Sequence, residues 1–258
     1  MPSILFEIKN SLAFITLNRP EKFNSFNREM ALLLQKTLGD CAADETIRAI
    51  YLTGTGKAFC AGQDLGELTG ENAPGFEVIL AEHYNPIITS IRTIDKPIVC
   101  AVNGVAAGAG ANIALCCDVV VAKASATFIQ AFSKIGLIPD SGGTFTLPRL
   151  IGFQKASALM MLGDKVSADE AEKMGMIYKV FNEEVFEEES IKIATTLSQM
   201  PTKSLAYTKQ ALNASLDNSL AVQLQKEDEL QYKAAHTADY KEGVAAFIEK
   251  RLPVFKGE

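Results

Sequence analysis

Residues 96–122 read KPIVCAVNGVAAGAGANIALCCDVVVA, and after a short link residues 128–143 read FIQAFSKIGLIPDSGG. The apolar, β-branched run over 97–102 meets Asn103-Gly104, a strong turn signal, so a strand is expected to stop there. A small-residue segment follows, Ala106-Ala107-Gly108-Ala109-Gly110-Ala111, and passes into apolar residues 112–117. That pattern predicts a strand, a loop and then a helix with almost no side chains on its first turn. Such a terminus exposes unpaired backbone N–H groups at the positive dipole end, and small residues let a ligand oxygen come close. Downstream, Asp140 stands between Pro139 and Ser141-Gly142-Gly143, a carboxylate on a tight turn beside apolar sequence. Taken singly, the glycine-rich turn is more often a packing device and the aspartate a turn former or cap. Together, donors for a developing oxyanion and one acid/base group are the minimum kit for enolate chemistry.

A chain of 258 residues can bury a substantial core. Its net charge of −6 argues against a polyanion-binding surface, so no nucleic acid partner is expected. Five cysteines without paired spacing suit a reducing compartment. No apolar leader follows Met1 and no span approaches membrane length, so the expectation is a soluble, cytoplasmic protein with no membrane partner. Walker and dinucleotide fingerprints are absent, and no metal-ligand spacing occurs, so no metal site is expected. Cys60 as a nucleophile would need a base, and neither His83 nor His236 is placed by sequence to serve it.

Residues 4–9 and 12–17 alternate around Asn10-Ser11 and read as a hairpin. Asn27 can cap a helix to about Ala43, with Met30, Leu33, Leu34, Leu38 and Cys41 on its apolar face. A short strand over 49–53 ends at Gly54-Thr55-Gly56. Residues 73–94 have helical spacing, and 71–75 before them read as a mobile loop. Short helices are expected over 145–150 and 154–162, a capping box at Ser167-x-x-Glu170, and a last strand over 177–181. From Phe186 the pattern is helical: 186–200, 202–214, 216–235 and 239–251. A composition shift near Pro201 divides an α/β core, 1–200, from a helical region, 201–258. No internal sequence repeat is visible.

The motifs 96–122 and 128–143 resemble the enoyl-CoA hydratase/isomerase (crotonase) family. So, in order, do Asn18-Arg19-Pro20 with Asn24-Ser25-Phe26, GTGKAFCAGQDL over 54–65, Ser167-Ala168-Asp169-Glu170-Ala171 and Gly175-Met176-Ile177. The resemblance implies an α/β fold that is a spiral of ββα units with a helical C-terminal trimerisation region. It implies an acyl-CoA thioester substrate, no separate cofactor because coenzyme A is part of that substrate, and a homotrimer or dimer of trimers. The oxyanion donors would be the N–H groups of Gln63 and Ala109; Ala can serve at that position if its φ is negative. Ala61, Gly62, Asp64, Leu65, Gly108, Gly110, Tyr84 and Phe132 would surround the substrate. Lys250 and Lys256 would meet coenzyme A phosphates.

Hydratases of the family use two glutamates, which fall here on Asn112 and Phe132, and neither residue can ionise. Asp140 stands where isomerases and a dehalogenase of the family place a working aspartate. The expectation is therefore an acyl-CoA isomerase with Asp140 as proton shuttle. The alternatives are a general enoyl-CoA isomerase or hydratase, an enzyme using Asp140 as nucleophile, and a non-catalytic thioester-binding scaffold.

Overall fold

A computed structural model describes residues 1–69 and 73–258. The loop expected over 71–75 falls in part outside those residues. Strands β1 (Ile4–Lys9) and β2 (Leu12–Leu17) pair antiparallel across Asn10 and Ser11. Both turn residues take positive φ, +48° and +64°, the condition for a two-residue hairpin that follows strand twist. After β2 every strand of the large sheet is parallel to its predecessor: β3 (Ala49–Gly54), β5 (Ile98–Val102), β7 (Val119–Lys123) and β10 (Lys179–Phe181). The order is β1-β2-β3-β5-β7-β10.

A second sheet, in the order β4-β6-β8-β9, is built from three-residue strands: β4 (Ala58–Cys60), β6 (Val105–Ala107), β8 (Thr127–Ile129) and β9 (Lys165–Ser167). Three times the chain places one strand in the large sheet and the next in the small one before leaving it, which is the ββα spiral that the motifs imply. Two corners demand glycine. A Cβ at Gly54 would stand 2.5 Å from the Phe59 carbonyl, and one at Gly104 would overlap the Lys57 carbonyl. The loop expected between residue 102 and the next helix is corrected here, because Val105–Ala107 is a strand too short to show alternation.

Asn27 caps the helix Arg28–Ala43 by accepting from the Met30 N–H at 2.9 Å, and Met30, Leu34, Leu38 and Cys41 are buried on the core. The helix over 76–93 is wound as a π-helix through Ile79–Tyr84. The wider turn lets Ile79, His83 and Tyr84 all face inward before Ile87 and Ile91 resume the stripe. The strand expected over 177–181 shortens to Lys179–Phe181, and the last helices are Phe186–Gln199, Thr202–Ser215, Leu220–Ala235 and Ala238–Glu249.

The helix Phe186–Gln199 covers one face of the large sheet through Phe186 and Ala194 against Tyr51, Val99 and Val121. Hydrogen bonds cross from the core to the region beyond residue 200. Arg48 donates to the Thr202 hydroxyl (3.0 Å) and the Phe255 carbonyl (2.8 Å), and the buried Lys209 reaches Asp118 at 2.8 Å and the Ile91 carbonyl at 2.7 Å. Among the described residues no helix is long and apolar enough to cross a membrane.

Two glycines on helices have opposite fates. A Cβ at Gly110 would lie 2.7 Å from the Cβ and Sγ of Cys60, whereas at the exposed Gly39 it would meet nothing within 4 Å. Gly110→Ala should therefore cost about 1–3 kcal/mol by overpacking, against Ala's better helix propensity. Gly39→Ala should gain about 0.5–1 kcal/mol. Urea unfolding of both variants checks the contrast, and equal effects of the same sign would contradict it.

Candidate active site

The chain leaves β4 at Cys60 and turns at Gly62, whose φ is +89°. A Cβ there would come within 3.0 Å of the Ala107 carbonyl and 3.4 Å of the Ala109 nitrogen. Residues 61–63 thus lie backbone against backbone on the turn that opens the helix Ala109–Leu115. Phe26 forms a parallel bridge to Gln63, its N–H donating to the Gly62 carbonyl at 2.7 Å and its carbonyl accepting from Asp64 at 2.8 Å. In that pairing the Gln63 N–H is turned away from Phe26. Among the described residues neither the Gln63 N–H nor the Ala109 N–H donates to a backbone acceptor outside regular elements, while the Gly108 N–H is spent on Ile129. Ala109 lies outside the positive-φ residues, so its methyl group costs nothing there. Two elements thus bring two backbone N–H groups with no backbone acceptor into one close contact.

The Gln63 side chain is tied on both ends. The Tyr84 hydroxyl donates to its Oε1 at 2.9 Å, and its Nε2 donates to Glu67 at 3.3 Å. Glu67 in turn accepts from the Arg28 N–H at 3.0 Å. Tyr84 reaches this place because of the π-wound turn, and its ring meets Phe26 edge-on at 5.9 Å. Burial, with further contributions from Cys60, Asp140 and Glu67, pushes the Tyr84 phenol well above its ordinary value. Cys60 is fully buried and its thiol is pushed up to about 12, which makes it an inert packing residue. His83 is buried, with one ring nitrogen 3.4 Å from Arg28.

Asp140 is half-buried, and desolvation raises its carboxyl above the ordinary carboxylate range against the Ser141 hydroxyl, which donates to Oδ1 at 2.8 Å. Asn112, buried on the helix Ala109–Leu115, donates from Nδ2 to the Asp140 carbonyl at 2.8 Å. Its Oδ1 accepts from Gln130 Nε2 at 2.8 Å. Phe132 is buried, with ring atoms 3.7 Å from where a Cβ at Gly108 would stand, so it walls the glycine turn.

The structure thus links Gly62, Gln63, Gly108, Ala109, Tyr84, Phe132 and Asp140 through adjoining elements. Gly110 belongs to the same turn, but its small size serves the contact with Cys60. Ala61 and Leu65 are exposed beside it. Asp64 directs its carboxylate to Arg19 at 2.9 Å and to the Gly66 N–H at 3.0 Å. Burial raises its carboxyl, but these partners outweigh burial and hold it below its ordinary value. Lys250 and Lys256 lie in the C-terminal segment, whose Lys256 and Gly257 N–H groups bind Asp239. Ser141, Gln130 and Glu67 were missed by sequence reasoning. Only Ser141 carried a signal, its adjacency to the acid. A cavity of about 860 Å³ lies between the last helices, lined by Tyr207, Leu230, Tyr240, Val244 and Phe247 and by none of the residues linked above.

The family model described as enoyl-CoA hydratase/isomerase matches residues 7–258. The chain is 45% identical over 262 residues to the 1,2-epoxyphenylacetyl-CoA isomerase of Escherichia coli, covering 100% of both chains. It is 44% identical over 255 residues to a protein of Rhodobacter capsulatus named a probable enoyl-CoA hydratase, covering 99% of this chain and 98% of the other. The fold superposes on the crystal structure of an enoyl-CoA hydratase from Bacillus anthracis with a TM-score of 0.92 at 34% identity, covering 99% and 100% of the two chains.

Because burial raises the folded-state pKa of Asp140, its contribution to stability is full at acid pH and is lost as pH rises through that pKa. Asp140→Asn removes the cost of a buried carboxylate, so it should raise Tm at pH 7.5 by about 2–4 °C, roughly 1 kcal/mol in a chain of this size. Near pH 4 the gain should shrink. Calorimetry of the two proteins at both pH values tests this, and a variant less stable than wild type at neutral pH would contradict it.

Proposed function

This chain belongs to the enoyl-CoA hydratase/isomerase family, and within it we propose an isomerase of acyl-CoA thioesters that works with one carboxylate, Asp140. The observation that carries this is the pair of neutral residues, Asn112 and Phe132, at the positions where the resemblance puts hydratase glutamates. Asn112 is spent on bracing the Asp140 turn, and Phe132 on walling Gly108. The chain is similar to relatives of both names, one an isomerase and one a probable enoyl-CoA hydratase, and the neutral pair is what favours the first reading for this chain. Activation of water by two acids finds no acid at either position. An isomerisation needs only one.

In the proposed mechanism the thioester oxygen sits between the N–H groups of Gln63 and Ala109. Asp140 takes a proton from one carbon, and the electron pair of the broken C–H bond spreads into a dienolate whose oxygen charge the two donors hold. The same carboxyl returns the proton to another carbon, so acid, donors and substrate composition are all restored. Burial favours this role by making the Asp140 carboxylate a stronger base near neutrality. The substrate we assign, from the likeness to the Escherichia coli protein, is 2-(1,2-epoxy-1,2-dihydrophenyl)acetyl-CoA in phenylacetate degradation, with 3-enoyl to 2-enoyl shifts as a related activity. The ring C–C bond bridged by the epoxide oxygen breaks, its electrons pass into the ring double bonds to give the seven-membered oxepin, and Asp140 carries the proton from the α-carbon to the γ-carbon. No cofactor beyond the coenzyme A of the substrate enters the scheme. Lys250 and Lys256 remain the candidates for its phosphates by the family resemblance.

We also assign a homotrimer or a pair of trimers. The last helices and the C-terminal segment leave Leu212, Leu220, Phe247, Ile248, Leu252 and Val254 exposed, each by more than 60%. A lone subunit would keep this apolar surface in water.

Purified protein tested on the epoxide, on 3-enoyl-CoAs and on crotonyl-CoA, with product identification, examines the assignment. Asp140→Asn should slow isomerisation by about 10²–10⁴ while thioester binding changes little. Crotonyl-CoA hydration by wild type should be slow or undetectable. Rapid hydration, or near-normal isomerisation by the variant, rejects the one-carboxylate mechanism. Light scattering at micromolar concentration should give three or six subunits per particle, and a stable monomer rejects the assembly.

A further inference from the structure

The turn that carries Asp140 is held more tightly than a cap or a surface turn requires. The Asp140 carbonyl accepts from Asn112 Nδ2 and from the Gly143 N–H, each at 2.8 Å. Gln130 fixes which way the Asn112 amide faces, because its Nε2 donates to Asn112 Oδ1; a flipped amide would set oxygen against oxygen at Asp140. A Cβ at Gly143 would overlap that amide, so the turn sits directly on it. Ser141 is buried and takes φ of +51°, a conformation that glycine would adopt freely and that costs a residue with a Cβ. In exchange, its Oγ is brought within 2.8 Å of Asp140 Oδ1. The Ser141 carbonyl is met in turn by the Cys116 thiol at 3.8 Å.

We propose that Ser141 and Asn112 are positioning residues for the proton shuttle: Ser141 occupies Oδ1, Asn112 fixes the peptide, and Oδ2 is the oxygen that takes and returns the substrate proton. This rests on the reading of Asp140 as the shuttle. In the forward step an Oδ2 lone pair forms the O–H bond as the substrate C–H bond breaks, and the C–H electron pair moves toward the thioester oxygen. In the return step that O–H bond breaks and a C–H bond forms at the other carbon. Oδ1 stays bonded to the serine throughout, so the carboxyl plane does not swing between the two steps.

The groups around the carboxyl are the Ser141 hydroxyl on its own turn, the Cys116 thiol next to it, and the Tyr84 phenol from the helix over 76–93, which also feels Cys60. The serine is thus the side chain that stabilises the charged form of Asp140 against desolvation. Its loss should move the acid limb of the pH–rate profile toward higher pH, since the carboxylate must be ionised to act.

The experiment compares Ser141→Gly, Ser141→Ala and Asp140→Asn in 3-enoyl-CoA isomerisation, with kcat, KM and the acid limb as readouts. Both serine variants should lose about 10- to 100-fold in kcat, the worth of one hydrogen bond to a charged group, with KM within about twofold and the limb displaced upward. Ser141→Cys, a weaker donor of similar shape, should fall between them and wild type. Asn112→Ser should lower kcat without moving the limb, because it touches the peptide and leaves the carboxyl alone. Ser141→Gly suits the unstrained backbone, so it decides the matter if the alanine variant folds poorly. A folded glycine variant with wild-type kcat and limb, beside an inactive Asp140→Asn, overturns the positioning role and leaves the shuttle standing. An active Asp140→Asn overturns both.

Discussion

Two stretches of main chain, 61–63 and 107–109, are pressed together with no side chain between them, and the rest of the site depends on that contact. Gly62 makes it possible by taking a backbone conformation that other residues resist, and Gly110 keeps the neighbouring helix turn down on Cys60. The consequence is chemical as well as steric. Each stretch presents an N–H that its own element does not use, and each is fixed by a sheet strand immediately before it. In the proposed role, donors held this way would need no reorganisation when charge develops, which is where their advantage over water would lie.

Around those N–H groups the polar side chains divide into braces, most of them neutral, and the half-buried Asp140. Asn112, Gln130, Ser141 and the Gln63 amide are paired to one another, to the backbone or to Tyr84 and Glu67. Asp140 carries a carboxylate in surroundings that disfavour its charge. The burial that would make it a better base in the proposed role also disfavours the folded chain at neutral pH, the trade expected of a working site. Amides at the neighbouring positions add structure without adding a competing charge.

What could be read from the sequence followed the length of the signal. The hairpin and the helix Arg28–Ala43 span enough residues for their periodicities to show, and Asn27 announces the cap. The small sheet was illegible as sheet because strands of three residues have no alternation, and β6 was therefore expected as loop. The π-wound turn escaped because a 3.6-residue period cannot express an inserted residue. In the site, Asp140 was legible as the one acid within its motif. The donor roles proposed for Gln63 and Ala109 were not, since a backbone N–H belongs to every residue; they came through resemblance. Gln130 reads as an unremarked polar residue at the end of a strand, and only the coordinates join it to Asn112.

From β2 onward the large sheet is ordered as the chain is ordered: β2, β3, β5, β7 and β10 are each laid on the edge left by the one before. A ribosome emitting this chain therefore always offers the next strand a finished edge, and none has to be threaded between two that are already paired. Parallel pairing forces each new strand to wait for its crossover, so the sheet has a single growing margin during synthesis. With β1 as the fixed outer strand on the other side, the edge that changes as the chain grows is that one margin, which limits where a newly added strand can pair with the wrong neighbour.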